Sequence, residues 1–187
     1  MKVIPLFRNK AQLIASSAKN DRRAQQQLFE QFSPRMLGVC RMYIKDLQHA
    51  EEVMLSGFLK AFSHLEAFEN RGSFEGWLRK IMIREAISFL RTQKKLEFSE
   101  ELAPENGEGF NNIQADIDVE HIQRLIDELP EGYRLVFVMY AIEGYKHREI
   151  AELLGIDEGT SKSQLFKARK LLQEQLGTYK KTNYATT

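Results

Sequence analysis

Seven side chains near the C-terminal end of the chain have the types and spacing that suit nucleic-acid contact. Thr160, Ser163, Gln164 and Lys167 fall on one side of a helix of 3.6 residues per turn, and Lys162, Arg169 and Lys170 flank them. Hydroxyls, an amide and a lysine match base edges, and the flanking cations match phosphates. From Lys162 to Lys181 there are six basic residues and one acid, Glu174, whereas an ordinary solvated helix interleaves acids with its lysines. A second set lies earlier in the chain. At 100° per residue, Trp77, Lys80, Arg84, Ser88, Arg91 and Lys95 gather within about a quarter of a helical circumference. Aromatic faces stack on unpaired bases while lysine and arginine follow the backbone. Plain packing remains open for both sets: two amphipathic helices with a glycine corner also occur as a structural unit, and a basic stripe can be a solvated face with Trp77 half-buried in it.

Other chemistry finds no residues to carry it. His49, His64, His121 and His147 are far apart in sequence and have no second ligand at metal spacing. The HREIA segment at His147 lacks the second histidine of a zinc-protease helix, and neither a phosphate-binding GxxxxGK[ST] loop nor a dinucleotide fingerprint occurs. No catalytic residue, metal or cofactor is expected, so the chain reads as a non-enzyme.

The elements that must position these side chains all read as helical, and no period-two strand pattern appears. A helix is expected from about Gln12. A second, over 21–44, carries Ala24, Leu28, Phe29 and Phe32, is interrupted at Ser33-Pro34, and resumes with Met36, Leu37, Val39, Cys40, Tyr43 and Ile44. A third, from about Gln48 to Leu65, turns Val53, Met54, Phe58, Leu59 and Phe62 inward and places Glu51 and Glu52 in its first turn. After a loop at Glu69–Ser73, with Ser73 as N-cap, a helix over Phe74–Lys95 sets Leu78, Met82, Ile83, Ala86, Ile87, Phe89 and Leu90 opposite the basic stripe.

Leu96–Glu120 breaks the pattern, with eight acids, no lysine or arginine, and several Gly, Asn and Pro residues. Such a segment buries little surface and reads as a flexible acidic linker that opposes DNA binding in the free protein. Beyond it, Val119, Ile122, Leu125, Ile126 and Leu129 form one apolar face, stopped by Pro130, and a helix over 131–142 turns Leu135, Val136, Val138 and Met139 inward. Ile150, Ala151 and Leu154, a corner at Gly155-Ile156-Asp157, and Ser161, Leu165, Ala168 and Leu172 then make a helix-turn-helix. The fold class is therefore all-α. Two small helical domains, 1–95 and 119–177, are joined by the linker 96–118 and followed by a disordered tail at 178–187; the second is a helix-turn-helix of winged-helix-like type without a wing.

The 187 residues suffice for two small domains, and 43% hydrophobic with 28% charged residues is a globular composition. Net charge is only +1, so the local distribution, not the total, points to nucleic acid. Cys40 stands alone, which excludes an internal disulfide and reads as a buried apolar residue in a reducing compartment. No apolar run approaches the ~20 residues that span a bilayer. The N-terminal patch, broken by Pro5 and closed by Arg8, is too short for a signal peptide. A cytoplasmic location follows as the expectation.

Three segments carry a family resemblance. HAEEVM at 49–54, FEGWLRKIMIREAISFLR at 74–91 and LPEGYRLVFVMYAIEGYKHREIAELLGIDEGTSKSQLFKARKLL at 129–172 make the chain resemble a bacterial RNA polymerase sigma factor of the extracytoplasmic-function type, of a Bacteroidetes-like branch, over about Lys19–Leu176. The resemblance implies binding of core RNA polymerase (β′ clamp helices and β flap) and promoter DNA, with an anti-sigma factor as a further partner. It implies that Glu51, Glu52 and Val53 touch the clamp, and that Trp77, Lys80, Arg84, Ser88, Arg91 and Lys95 meet the minus-ten strand. The Glu69–Ser73 loop, with Asn70 and Arg71, would hold a flipped base, and Thr160, Lys162, Ser163, Gln164, Lys167, Arg169 and Lys170 would contact the minus-thirty-five element. The linker would thread toward the polymerase active-site channel. Leu55-Ser56 replaces the family's usual Gln-Glu, Arg84 and Ser88 stand where Asn and Asp are common, and Gln164 replaces an arginine, a change that favours adenine over guanine. Two other functions stay open: a helical regulator of the same fold that binds a protein partner, and a helix-turn-helix regulator that binds DNA without polymerase.

Overall fold

The computed structural model describes residues 9–68, 72–93 and 119–184, without the side chains of 119–121 and 178–184. Every regular element among the described residues is helical. They are α1 (Lys10–Ala18), α2 (Arg22–Tyr43), α3 (Leu47–Ser63) with a 3-10 turn at Leu65–Ala67, α4 (Phe74–Thr92), α5 (Val119–Glu128), α6 (Glu131–Phe137) running into a π-helical turn at Val138–Ile142, α7 (His147–Leu154) and α8 (Glu158–Tyr184). The chain divides into two compact units, Met1–Leu90 and Arg91–Thr187.

In the first unit, short polar side chains set the helix starts by accepting backbone N–H groups that a first turn leaves without partners. Asn9 accepts from the Gln12 amide at 2.8 Å, Asp21 from Arg23 and Ala24 at 2.9 and 3.2 Å, and Asp46 from His49 at 2.8 Å. The His49 amide is also the main reason the Asp46 carboxyl is held below the usual carboxylate range. With Asp46 as N-cap, α3 begins earlier than its charge pattern suggests, and Glu51 and Glu52 fall in the second turn.

The interruption expected at Ser33-Pro34 does not occur: α2 runs through Pro34 as one helix of 22 residues. A proline inside a helix removes a hydrogen bond and crowds the preceding turn, at about 3 kcal/mol. Burial on both sides of it offsets that cost. Leu28 and Phe32 before it, and Met36, Val39, Cys40 and Tyr43 after it, all sit in the core, each apolar side chain contributing about 1.5–3 kcal/mol.

α4 is seated by one half of its circumference. Phe74, Leu78, Met82, Ile83, Ala86, Ile87 and Leu90 are buried, in agreement with the periodicity. Where α4 passes α3, Met82 lies over Gly57. A Cβ at Gly57 would collide with the Met82 Sδ and come within 2.9 Å of its Cε. Leu59, expected inward, is 71% exposed, because the buried row of α3 is Ala50, Val53, Met54, Gly57, Phe58 and Ala61 and Leu59 lies beyond its edge.

In the second unit, Leu125, Ile126 and Leu129 pack inward with Leu135, Val136, Val138 and Met139. Ile122, also expected inward, is exposed. The π-turn closes with the Glu143 amide donating to the Val138 carbonyl at 3.0 Å, and Gly144 at φ +75° reverses the chain. Gly155 at φ +69° makes the α7–α8 corner, its amide donating to Ala151 at 2.9 Å; a left-handed backbone here favours glycine. α8 continues through Gly177 to Tyr184, where a disordered tail from 178 was expected. A single glycine costs a helix interior only about 1 kcal/mol, too little to stop a helix already propagating for five turns. The linker 96–118 lies outside the described residues.

Gly57→Ala is expected to destabilise the first unit by about 1–3 kcal/mol, the range for overpacking a filled core. Met82→Ala should cost less in the Gly57→Ala background than in wild type, because the collision is then absent. Chemical unfolding of the two single variants and the double variant measures this, and a neutral Gly57→Ala would mean that Met82 swings aside freely.

Candidate nucleic-acid interfaces

α4 carries the first candidate surface. Lys80, Arg84, Ser88 and Arg91 are exposed along one side, as the spacing requires. Trp77 belongs to the same side but is only half free: its ring lies 5.5 Å from Phe68 and 5.7 Å from Phe74, and Phe74 in turn contacts Phe32 at 5.3 Å. Trp77 therefore joins the basic stripe to the aromatic core. Asn70, Arg71 and Lys95 lie outside the described residues.

What sequence reasoning missed is the fate of the two acids on α4. Glu75 pairs with Arg35 of α2 at 2.9 Å. Glu85 pairs with Lys60 of α3 at 2.6 Å and accepts from the Ser56 hydroxyl at 3.1 Å. Neither is left to neutralise the stripe, and among the described residues Lys80, Arg84 and Arg91 form no ion pair. Ser56, one of the two departures from the family pattern, thus serves as a partner for Glu85 on the inner side of α3.

The outer side of α3 is a second surface. Leu47, Leu55 and Leu59 are 53%, 49% and 71% exposed, with Glu51 and Glu52 beside them, also exposed. Leu47, Glu51, Leu55 and Leu59 follow one another at intervals of four, which aligns them as one slowly drifting row. Val53, which the resemblance assigns to this surface, is buried in the core row, on the inward side that the helical period gives it.

The helix-turn-helix is the third surface. Lys162 and Lys170 are exposed, and Thr160, Lys167 and Arg169 are half-buried. Lys162 also carries an acid partner, Glu158, at 2.7 Å. Ser163 and Gln164, expected on the open polar face, are 1% and 0% exposed. Gln164 lies about 60° from Ser161 around the helix, at the border of the stripe formed by Ser161, Leu165 and Ala168, so its side chain falls in with that stripe. The Ser163 hydroxyl turns back to donate to the Thr160 carbonyl at 2.9 Å; helical periodicity does not account for the burial of its side chain.

Two further features bear on chemistry. Burial pushes the Cys40 thiol up to about 12, which keeps it protonated and unreactive at neutral pH. Among the described residues no group of three metal-ligating side chains occurs, and no helix is long and apolar enough to cross a membrane.

Two compact all-helical units, one presenting a basic helix stripe and the other a helix-turn-helix, define a nucleic-acid-binding protein with two contact points. The sigma-70 region 2 model matches residues 28–96 and the sigma-70 region 4 model residues 120–172. The chain is 33% identical over 135 residues to the RNA polymerase sigma factor SigV of Bacillus subtilis, covering 72% of this chain and 80% of that one. It is 26% identical over 172 residues to the extracytoplasmic-function sigma factor SigW of the same organism, covering 84% and 91%. A solved structure with the same fold, the sigma factor RpoE of Bartonella quintana in complex with the anti-sigma factor NepR, superposes with a TM-score of 0.51 at 21% identity, covering 81% of this chain and 96% of that one. The chain belongs to the sigma-70 family of RNA polymerase sigma factors and is of the extracytoplasmic-function type. It is a subunit that binds core RNA polymerase and directs promoter-specific transcription initiation.

Lys80→Ala and Arg84→Ala are each expected to flatten the salt dependence of single-stranded promoter DNA binding by the reconstituted holoenzyme, by about 0.7 in the slope of log K against log salt. Slopes equal to wild type would place these residues off the path of the strand.

Proposed function

We propose that the three surfaces divide the work of initiation. The exposed face of α3, with Leu47, Glu51, Glu52, Leu55 and Leu59, docks on the polymerase β′ clamp helices. The α4 stripe, Trp77, Lys80, Arg84, Ser88 and Arg91, meets the separated minus-ten strand, with Asn70, Arg71 and Lys95 completing it. Thr160, Lys162, Lys167, Arg169 and Lys170 of α8 hold the minus-thirty-five duplex, and the second unit also contacts the β flap. Ser163 and Gln164 are assigned to base edges in the DNA-bound state, which requires that they first be uncovered.

The observation that carries this reading is the charge arrangement on α4. Both of its acids are bound to other helices, so four exposed polar and basic side chains with a partly exposed tryptophan face outward unopposed. Such a surface suits a strand whose bases are unstacked. Each unit alone offers a small, salt-sensitive contact, and anchoring both on polymerase makes the second contact intramolecular and the pair much tighter.

In this reading the domains are 1–95 and 119–177, the segment 96–118 is the tether, and the protein is a cytoplasmic non-enzyme. An anti-sigma factor and the Bacteroidetes-like branch belong to the same reading; the branch rests on motif resemblance alone. The exposed leucine row supports a second function, in which a protein partner other than polymerase takes the α3 face.

Run-off transcription with core polymerase and genomic fragments tests the first reading, which predicts a discrete product that depends on the chain. Leu59→Asp is expected to weaken assembly with core polymerase by 2 kcal/mol or more, the range of a central interface residue, without lowering the melting temperature. Wild-type chain that fails to co-purify with core polymerase would favour the second function.

A further inference from the structure

In the second unit His147, which has no part in the roles assigned so far, lies at the centre of a cluster. The His147 ring, in the first turn of α7, stacks on Tyr140 of the π-turn with centroids 4.6 Å apart and planes 24° from parallel. Its Nδ1 lies 2.9 Å from the hydroxyl of Ser161, which is fully buried on α8. The Arg169 guanidinium sits 5.5 Å over the same Tyr140 ring. One imidazole therefore touches the π-turn and α8 while belonging to α7, and it sits where the three elements converge.

The charged groups around it are placed asymmetrically. α8 contributes Lys162 and Arg169, which disfavour a proton on His147, and Glu158, which favours one. α7 contributes Arg148, engaged with Glu152 at 3.4 Å. The π-turn contributes the aromatic ring of Tyr140. Partial burial, reinforced by Lys162, holds the imidazole below the ordinary histidine range. In the free chain His147 is thus mostly neutral, its Nδ1 and the Ser161 hydroxyl sharing one hydrogen.

We propose that His147 is a proton-linked positioning residue: the helix pair takes up a proton at His147 when α8 engages DNA phosphates, so that DNA is held more tightly as pH falls through the histidine range. The inference rests on the reading that α8 contacts DNA. A phosphate drawn to Lys162 and Arg169 cancels the two charges that oppose protonation and adds a negative one nearby. The Ser161 contact survives the change, because a protonated Nδ1 donates to the hydroxyl oxygen. The Tyr140 face accommodates an imidazolium as it does the Arg169 guanidinium. Proton uptake on binding and tighter binding at low pH are the same linkage seen from two sides.

A purely structural role predicts the opposite sign. With its folded value below the unfolded one near 6.5, His147 contributes stability that is present above that pH and declines as pH falls toward the folded value. A helix pair that merely loosens in acid would lose DNA affinity there.

The test uses the full chain bound to core polymerase and a duplex selected from random-sequence DNA by that complex, with affinity measured from about pH 5.5 to about pH 8. Wild type is expected to gain about tenfold for each unit by which DNA raises the His147 value. His147→Asn keeps a hydrogen-bonding group toward Ser161 but does not titrate, and should flatten the profile while leaving affinity near pH 8 within about twofold. In parallel, the His147 ring signal in the NMR spectrum of the free chain should titrate below about 6.5 and move upward when the duplex is added. Profiles that run parallel in wild type and His147→Asn, or affinity that falls in acid, would overturn the inference while leaving the DNA-reading role of α8 intact. Failure of the wild-type complex to retain any duplex at any pH would remove both.

Discussion

Glu85 is held against α3 by Lys60 at 2.6 Å and Ser56 at 3.1 Å, and Glu75 is held against α2 by Arg35 at 2.9 Å. Much of what the first unit can do depends on these contacts. A basic helix face works as a nucleic-acid surface only if its own acids are not free to fold across it. On α4 Glu75 lies on the side opposite the stripe and Glu85 about 60° beyond its edge, and the neighbouring helices hold both there. These surface pairs contribute little to stability, of the order of 0–1 kcal/mol each. Their consequence is the positive potential they leave on the other side of the helix.

The same packing decides what α3 presents. With Ala50, Val53, Met54, Gly57, Phe58 and Ala61 committed to the core, Leu47, Leu55 and Leu59 have no place inside and emerge beside Glu51 and Glu52. A row of exposed leucines is an unfavourable feature for an isolated protein and an expected one for a subunit that is completed by a partner. Leu55, where the family has a polar residue, lengthens the apolar part of this row, while Ser56 turns inward to α4. The two substitutions therefore act on different sides of one helix: Leu55 adds to the exposed apolar row, and Ser56 supports Glu85 of α4.

In the second unit the limiting constraint is the approach of α7 to α8. Gly155 supplies the left-handed corner, Ala151 and Ser161 are small enough for a close crossing, and His147 fills the space that remains by contacting Ser161 and Tyr140. A polar pair at such a crossing is acceptable because each partner satisfies the other, and it brings a titratable group next to the cations of α8.

Much of this protein was legible in its amino-acid order. Buried rows at intervals of three and four located α4, α6, α7 and α8, since burying one side of a helix demands that period. The Gly155 corner and the outward position of Lys80, Arg84, Ser88 and Arg91 followed from the same geometry. The order of residues was silent where competing energies meet in three dimensions. It marked a break at Pro34 that flanking core contacts override, placed Leu59 and Ile122 on the wrong sides of their helices, and set Ser163 and Gln164 on an open face where both are buried. A helical wheel gives the direction of a side chain but not the width of the neighbour that covers it. Only the tertiary structure decided that width, and with it which acids leave α4, which leucines remain outside, and that His147 meets Tyr140 and Ser161.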